Sequence, residues 1–227
     1  MYYNNVLMLH KVFCGGTLVS DKHVITSASC ASYGVTYYVQ LGDTILGNTM
    51  DVDYTKLTVV TQKFIHPGFD GSANNIAILE MSEPVALNQF PNIKLICLPN
   101  PGANFVESLA TVKGWGQTSN TNSQFIKFNS WLQEVQVTVF PDEECASIAS
   151  SEICAGTLEG SEAPCYGEGD RGGPLVVSDP SNNYGLTLAG IIDKNVCNVV
   201  ETYTKVSVFT DWINQIIGDA ATCSPPP

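Results

Sequence analysis

The chain has 227 residues, 22 of them acidic and 10 basic, and a formal net charge of -12 at pH 7. Hydrophobic residues make up 44 % and charged residues 14 %; this excludes a disordered chain, which needs few apolar and many charged residues, and a long helical or coiled-coil protein. A chain of this length buries about 70 % of its unfolded surface, so a core forms without a partner. An acidic surface with no two adjacent Lys or Arg residues points away from nucleic acid and from anionic membranes. No apolar stretch approaches the roughly 20 residues of a membrane-spanning helix, so no membrane insertion is expected.

Met1-Tyr2-Tyr3-Asn4-Asn5 has no basic region, and the apolar run Val6-Leu7-Met8-Leu9 is too short for a signal peptide. The segments Tyr37 to Leu41, Leu57 to Ile65, Leu132 to Phe140 and Leu186 to Ile192 are rich in Val, Thr, Ile and Tyr, and predict strands. Within the third, Val135-Gln136-Val137-Thr138-Val139 alternates apolar and polar, the period of a half-buried strand. Turn clusters separate the strands at Pro67-Gly68, Asp70-Gly71, Pro99-Asn100-Pro101-Gly102 and Asp179 to Asn183. The polar run Gln117 to Gln124 reads as a surface loop. Phe209, Trp212, Ile213, Ile216 and Ile217 fall at helical spacing, with Ser207 as the expected N-cap and Gly218 as the stop. Many short strands and a terminal helix suggest a sandwich or barrel.

The eight cysteines form no C-x-x-C pair. A disulfide framework is the better reading than a zinc ribbon, and no metal or cofactor is expected. Disulfides imply an oxidising compartment, so the protein is expected to be secreted and extracellular. Without a signal peptide, the simplest expectation is that the sequence begins inside a longer chain. No N-x-Ser/Thr sequon occurs, so N-glycosylation is not expected.

Five segments carry more specific information: Cys14-Gly15-Gly16-Thr17-Leu18-Val19 continuing to Val24-Ile25-Thr26-Ser27-Ala28-Ser29-Cys30; Asn74-Asn75-Ile76-Ala77-Ile78-Leu79; Gly114-Trp115-Gly116; Gly169-Asp170-Arg171-Gly172-Gly173-Pro174-Leu175; and Tyr203 to Ile213. Together and in this order they resemble the trypsin/chymotrypsin-like serine proteases over nearly the whole chain. The resemblance implies an all-β fold of two packed six-stranded-type antiparallel barrels with a C-terminal helix. Residues 1–218 then form one peptidase-like domain: barrel one at about 1–99, barrel two at about 103–208 and the helix at about 208–217, followed by a Pro-rich tail at 219–227.

Hydrolysis in that family needs a serine nucleophile, a histidine base and an orienting aspartate. By resemblance these three positions are Arg171, Ser29 and Asn75 in this sequence. Arginine stays protonated and cannot serve as a nucleophile, and His10, His23 and His66 match no catalytic position. Loss of a full triad costs on the order of 10⁶ in rate. The cleft departs as well. Two extra residues lie between Cys165 and Gly169-Asp170, Ala163 stands where trypsin-like members carry aspartate, and Asp193-Lys194-Asn195 replaces Ser-Trp-Gly. Asp170 resembles the aspartate that receives a new amino terminus. No Ile-Val-Gly-Gly-type sequence is present, so either such a terminus lies upstream or Asp170 has another partner.

The resemblance also implies the disulfides Cys14–Cys30, Cys145–Cys154 and Cys165–Cys197. It leaves Cys97 and Cys223 to pair with each other, with a bridge from Cys97 to an upstream segment as the rival. Arg171 is expected to fill its site through an ion pair with Asp193; a new ligand site is the alternative. Asn75 and Ser29 are expected to be hydrogen-bonded structural residues, with a direct ligand role as the alternative. Asp43, Asp51 and Asp53 lie where some relatives bind calcium, and a solvated acidic loop is the stronger reading. The expected function is binding of a protein partner, as a regulator, cofactor or decoy in a protease or immune cascade. An unconventional serine endopeptidase-like hydrolase and a structural protein without a specific partner are the alternatives.

Overall fold

The computed structural model describes residues 2–3, 11–46, 54–116, 130–145, 148–157, 169–178, 185–193 and 200–223. Thirteen strands and two α-helices are described. In the N-terminal half these are β1 (Tyr2–Tyr3), β2 (Lys11–Val12), β3 (Thr17–Leu18), β4 (His23–Thr26), α1 (Ala28–Ala31), β5 (Tyr37–Leu41), β6 (Lys56–Ile65) and β7 (Ala77–Met81). In the C-terminal half they are β8 (Leu109–Gly114), β9 (Gln133–Val139), β10 (Glu152–Gly156), β11 (Pro174–Ser178), β12 (Leu186–Ile192), β13 (Val200–Lys205) and α2 (Thr210–Ile217).

All strand pairs are antiparallel, and the two halves close differently. The first pairs in the order β2-β1-β5-β6-β7-β4-β3, a seven-stranded half-barrel sheet, and the second is a closed barrel β10-β13-β12-β11-β8-β9. The long β6 makes the first half turn: Lys56 to Val59 pair with β5, and Val60 to Ile65 pair with β7, with a register shift at Val60/Gln62. Such a shift bends a strand and lets it serve two neighbours.

Strand alternation divides the core. On β7, Ala77, Leu79 and Met81 enter the core of the first half, while Ile78 faces the other way and joins Val19, Ile25, Leu188 and Ile191 between the halves. Val24 and Ile25 on β4 split in the same manner. This is the period-2 geometry of a strand buried on both faces. Helix α2 supplies Ile213 and Ile217 to the shared core, at 0 % and 5 % exposure. Eight residues are too few for a helix stable alone, so this burial, about 1.5–3 kcal/mol per side chain, holds it.

The expected N-cap of that helix is displaced. Ser207 sits in a 3-10 turn spanning Val206–Val208, and its hydroxyl donates to Ala103 O at 3.0 Å. Phe209 occupies the cap position, and Gly218 ends the helix at φ 53° with its N–H on Asn214 O. A long-range bond to the linker between the halves outcompetes the local cap. The strands from Tyr37 and from Leu186 run as expected, whereas β6 starts one residue early and β9 is one residue shorter at each end.

Three disulfides fasten the described fold: Cys14–Cys30, Cys145–Cys154 and Cys97–Cys223. The last resolves the open alternative for Cys97. The pair Cys165–Cys197 lies outside the described residues, as do His10, the loop Gln117 to Gln124 and the turn Asp179 to Asn183.

Two of the described histidines are expected to make stability depend on pH. His66 Nδ1 accepts from Gly68 N at 3.1 Å, and its ring packs edge-on against Phe209 and Trp212, each at 5.0 Å. His23 is buried beside Ser20 Oγ, 2.8 Å from its Nδ1. Burial lowers the pKa of both below the ordinary 6.5. The unfolded chain therefore binds protons that the folded chain refuses, so stability is complete above about pH 6.5 and falls as pH drops through the window below it. Thermal melts should give a lower midpoint at about pH 5 than at about pH 7, and His23→Gln/His66→Gln should flatten that slope. An unchanged slope in the double variant would reject the assignment.

Candidate functional site

The helix α1 organises the site. Ser27 caps it, its hydroxyl accepting from Cys30 N at 3.3 Å while lying 3.1 Å from Ser29 Oγ. Four residues leave most helix N–H groups without an internal partner. One of these orphans, Ser29 N, donates to Asn75 Oδ1 at 2.8 Å. At the other end Lys63 Nζ donates to Ala31 O at 2.9 Å and Tyr33 O at 3.0 Å, and lies 4.6 Å above the Tyr37 ring. The Tyr37 hydroxyl is within 2.9 Å of both Cys30 O and Tyr33 O, and burial pushes its phenol up to about 12. The helix is thus held at both ends by side chains from elsewhere in the fold.

Asn75 is the hub. It enters β7 from Asn74, whose φ of 55° lies in the left-handed region that asparagine tolerates. Its carboxamide uses both functions: Oδ1 receives Ser29 N, and Nδ2 faces Ser29 Oγ at 3.3 Å and donates to Asp193 Oδ1. Its backbone carbonyl accepts from Thr204 Oγ1 of β13 at 3.2 Å. Asn75 is 4 % and Asp193 7 % exposed. The donor–acceptor sense of this pair is fixed, because a carboxylate facing Asn75 Nδ2 meets hydrogens and one facing Oδ1 would meet lone pairs.

The segment Gly169 to Gly173 lies between the halves and is bound to both. Arg171 O accepts from Gly15 N at 2.7 Å, Gly172 N donates to Ile192 O at 2.9 Å, and Gly173 N donates to Asp170 O at 2.8 Å. The glycines are required by contact. Gly172 has φ 83°, and a Cβ there would lie 2.3 Å from Thr26 Oγ1 and 2.7 Å from Gly15 O. A Cβ on Gly15 would lie 2.7 Å from Gly173 Cα. Gly15 and the Gly172-Gly173 pair therefore meet backbone to backbone, while Gly16 packs against Val24.

Asp170 is 6 % exposed, and its Oδ1 accepts from Gly116 N at 2.7 Å. Gly114 and Gly116 make room for it: a Cβ on either would sit about 2 Å from a carboxylate oxygen. The partner question posed by the sequence is answered in part, since the Gly-Trp-Gly segment supplies one.

The structure thus unites Ser29, Asn75 and Asp193 by hydrogen bonds and brings the Arg171 carbonyl to 3.5 Å from Sγ of Cys30, the residue after Ser29. It corrects the expected Arg171–Asp193 ion pair. The ion pairs among the described residues are Lys22–Glu80, Lys56–Glu83 and Lys113–Glu134, and Asp193 meets the Asn75 amide instead. Ala163, Lys194 and Asn195 lie outside the described residues. Sequence reasoning missed Ser27 and Thr204, both polar and buried at the hub. Ser27 carried a signal, the Ser-x-x ahead of a short helix; Thr204 carried none. Asp43 is buried, at 8 % exposure, against the expectation of a solvated loop, and receives Gln40 Nε2; Asp51 and Asp53 are outside the described residues.

A family model described as Trypsin matches residues 2–213. The chain belongs to the trypsin family. This trypsin-family chain is 32 % identical to the trypsin of Sus scrofa over 217 residues, covering 90 % of the chain and 85 % of that protein. It is 29 % identical to the serine protease filzig of Drosophila melanogaster over 222 residues, and 28 % identical to clotting factor C of Tachypleus tridentatus over 235. Each of these alignments covers 90 % of the chain, but it spans 12 % of filzig and 22 % of clotting factor C. Family membership accounts for the mostly β architecture, the half-barrel sheet beside a closed barrel, and the terminal helix.

Proposed function

We propose that this trypsin-family chain is a non-catalytic protease homologue that works extracellularly by binding a protein, as regulator, cofactor or decoy in a protease cascade. One observation carries the reading: Ser29, Asn75 and Arg171 stand where the family's base, orienting acid and nucleophile are expected. Serine and asparagine accept no proton near neutral pH, and a guanidinium offers no nucleophilic lone pair. The hydrogen bonds around Asn75 support it, because an amide already committed to Ser29 N and Asp193 serves a structural end. Likeness to clotting factor C supports a cascade setting, and the disulfides support an extracellular one.

The test is turnover and labelling beside an active trypsin. Casein hydrolysis should fall by about 10⁶ relative to the control, and a fluorophosphonate probe should label no serine. Labelling at any serine overturns the proposal. Affinity capture from the source organism's extracellular fluid, with the active trypsin as fold-matched control, should retain a protein specific to this chain. The variant Ser29→His/Asn75→Asp/Arg171→Ser should still give little turnover, because Asp193 would face the new carboxylate.

A further inference from the structure

Arg171 is the only arginine among the 227 residues; the other nine of the ten Lys and Arg residues are lysines. Its Nε is buried with no hydrogen-bond partner among the described residues, and it joins none of the ion pairs among them. A guanidinium is always charged and carries five N–H donors. Arg171 as a whole is only partly buried; a buried polar atom such as its Nε is normally satisfied, and one left without a partner asks for a reason. The obvious internal counter-ions are turned to other work. Asp170 accepts Gly116 N inside the glycine cradle, and Asp193 accepts Asn75 Nδ2. Nor is the side chain there for want of a rigid seat. The Arg171 carbonyl is bound by Gly15 N, and the next two residues are bound to Ile192 O and Asp170 O. With the backbone already ordered, only the rotamers of the side chain itself remain to be fixed on meeting a ligand.

We infer that Arg171 is an anchor for a carboxylate of the bound protein, either an acidic side group or the free carboxyl end of its polypeptide. This rests on the binding reading above. The planar fork of the guanidinium matches a carboxylate through two parallel hydrogen bonds. A net charge of -12 disfavours polyanions such as nucleic acid or sulfated sugar, whereas one carboxylate adds a single charge. At physiological salt the screening length is about 8 Å, so distant acidic residues weigh little; the near ones, Asp170 and Asp193, already accept from Gly116 N and Asn75 Nδ2.

A single arginine makes the test direct. Protein labelled with ¹⁵N-arginine has one Nε–H resonance. It is titrated to about 10 mM with acetyl-tetra-alanine bearing a free C-terminal carboxylate, with the same peptide amidated, and with an amidated peptide ending in glutamate. That range reaches affinities near the millimolar scale. At least one carboxylate peptide should shift the resonance saturably, and the amidated tetra-alanine should leave it in place. A response to the free terminus identifies a polypeptide end, and a response to the glutamate peptide identifies an acidic side group. Binding read by calorimetry should weaken about tenfold or more in Arg171→Gln, with unchanged melts showing that the variant folds. Silence with both carboxylates, an equal shift with the amidated tetra-alanine, or unchanged affinity in Arg171→Gln overturns the inference. Peptide cleavage in the same samples would sink the non-catalytic reading and leave the resonance shift to be judged separately.

Discussion

Asn75→Asp should destabilise the protein by about 4 kcal/mol at neutral pH, the cost of an uncompensated buried charge. The substitution changes one atom type and almost no volume. It replaces a donor facing Asp193 with an acceptor, so two carboxylates would share a site that is 4 % and 7 % exposed. Like charges at that range cannot both ionise cheaply, and one carboxyl would hold its proton above its unfolded pKa. The sign follows. The unfolded carboxyl releases its proton near pH 4, so below that pH both states are protonated and the deficit is small; it grows as pH rises from there to the raised folded value, then stays constant. Thermal melts should show the midpoint falling by about 8–16 °C at about pH 7, with partial recovery at about pH 4. Asn75→Asp/Asp193→Asn restores one donor facing one acceptor with the roles exchanged, and should recover most of the loss. A variant within about 1 kcal/mol of the parent at neutral pH, or an exchange that recovers nothing, would show that the pair is not the hub described. The same clash is why the triple variant Ser29→His/Asn75→Asp/Arg171→Ser would work poorly unless Asp193 were changed too.

Removing the Cys97–Cys223 bridge should cost about 5 kcal/mol, since it closes a separation of 126 residues. Both ends are placed by other contacts. Cys97 bridges to Thr187 of the barrel, with Cys97 N on Leu186 O and Leu188 N on Cys97 O. Beyond α2 the polypeptide returns to the first half, with Ser20 bridged to Thr222 and Asp21 N on Ala221 O. The disulfide ties the linker to this returning tail and holds α2 against both halves. Around it lies a cavity of about 170 Å³ lined by Val19, Ile96, Leu98 and Asn214, so few side chains would compensate for the lost bond. The Cys97→Ala/Cys223→Ala variant should melt about 10–20 °C lower than the parent. Proteolysis should then begin in the tail following Ile217. A midpoint within a few degrees of the parent would mean that the returning contacts suffice without the bond.

How much was legible in the sequence follows from the range of each interaction. The strand Tyr37 to Leu41 was readable because β-branched and aromatic residues prefer a half-buried pleat, a preference that acts residue by residue. The apolar spacing of α2 was equally local, but its first turn was not: Ser207 serves Ala103, more than a hundred positions away. The motif resemblance implies that Ser29, Asn75 and Arg171 share one site, and hydrogen bonds join the first two. It gave the wrong partner to Asp193, because the choice between the Asn75 amide and the Arg171 guanidinium depends on where side chains 118 positions apart point.

Fold family and cysteine content are thus properties of residue types at short spacing, and they can be read directly along the sequence. The partner of Cys97, the sense of the Asn75–Asp193 hydrogen bond and the absence of Arg171 from the described ion pairs belong to a different class. Each depends on distances across the junction of two packed halves. There the backbone contacts of Gly15, Gly172 and Gly173 set which donors reach which acceptors, and hydrogen bonds discriminate over a few tenths of an ångström.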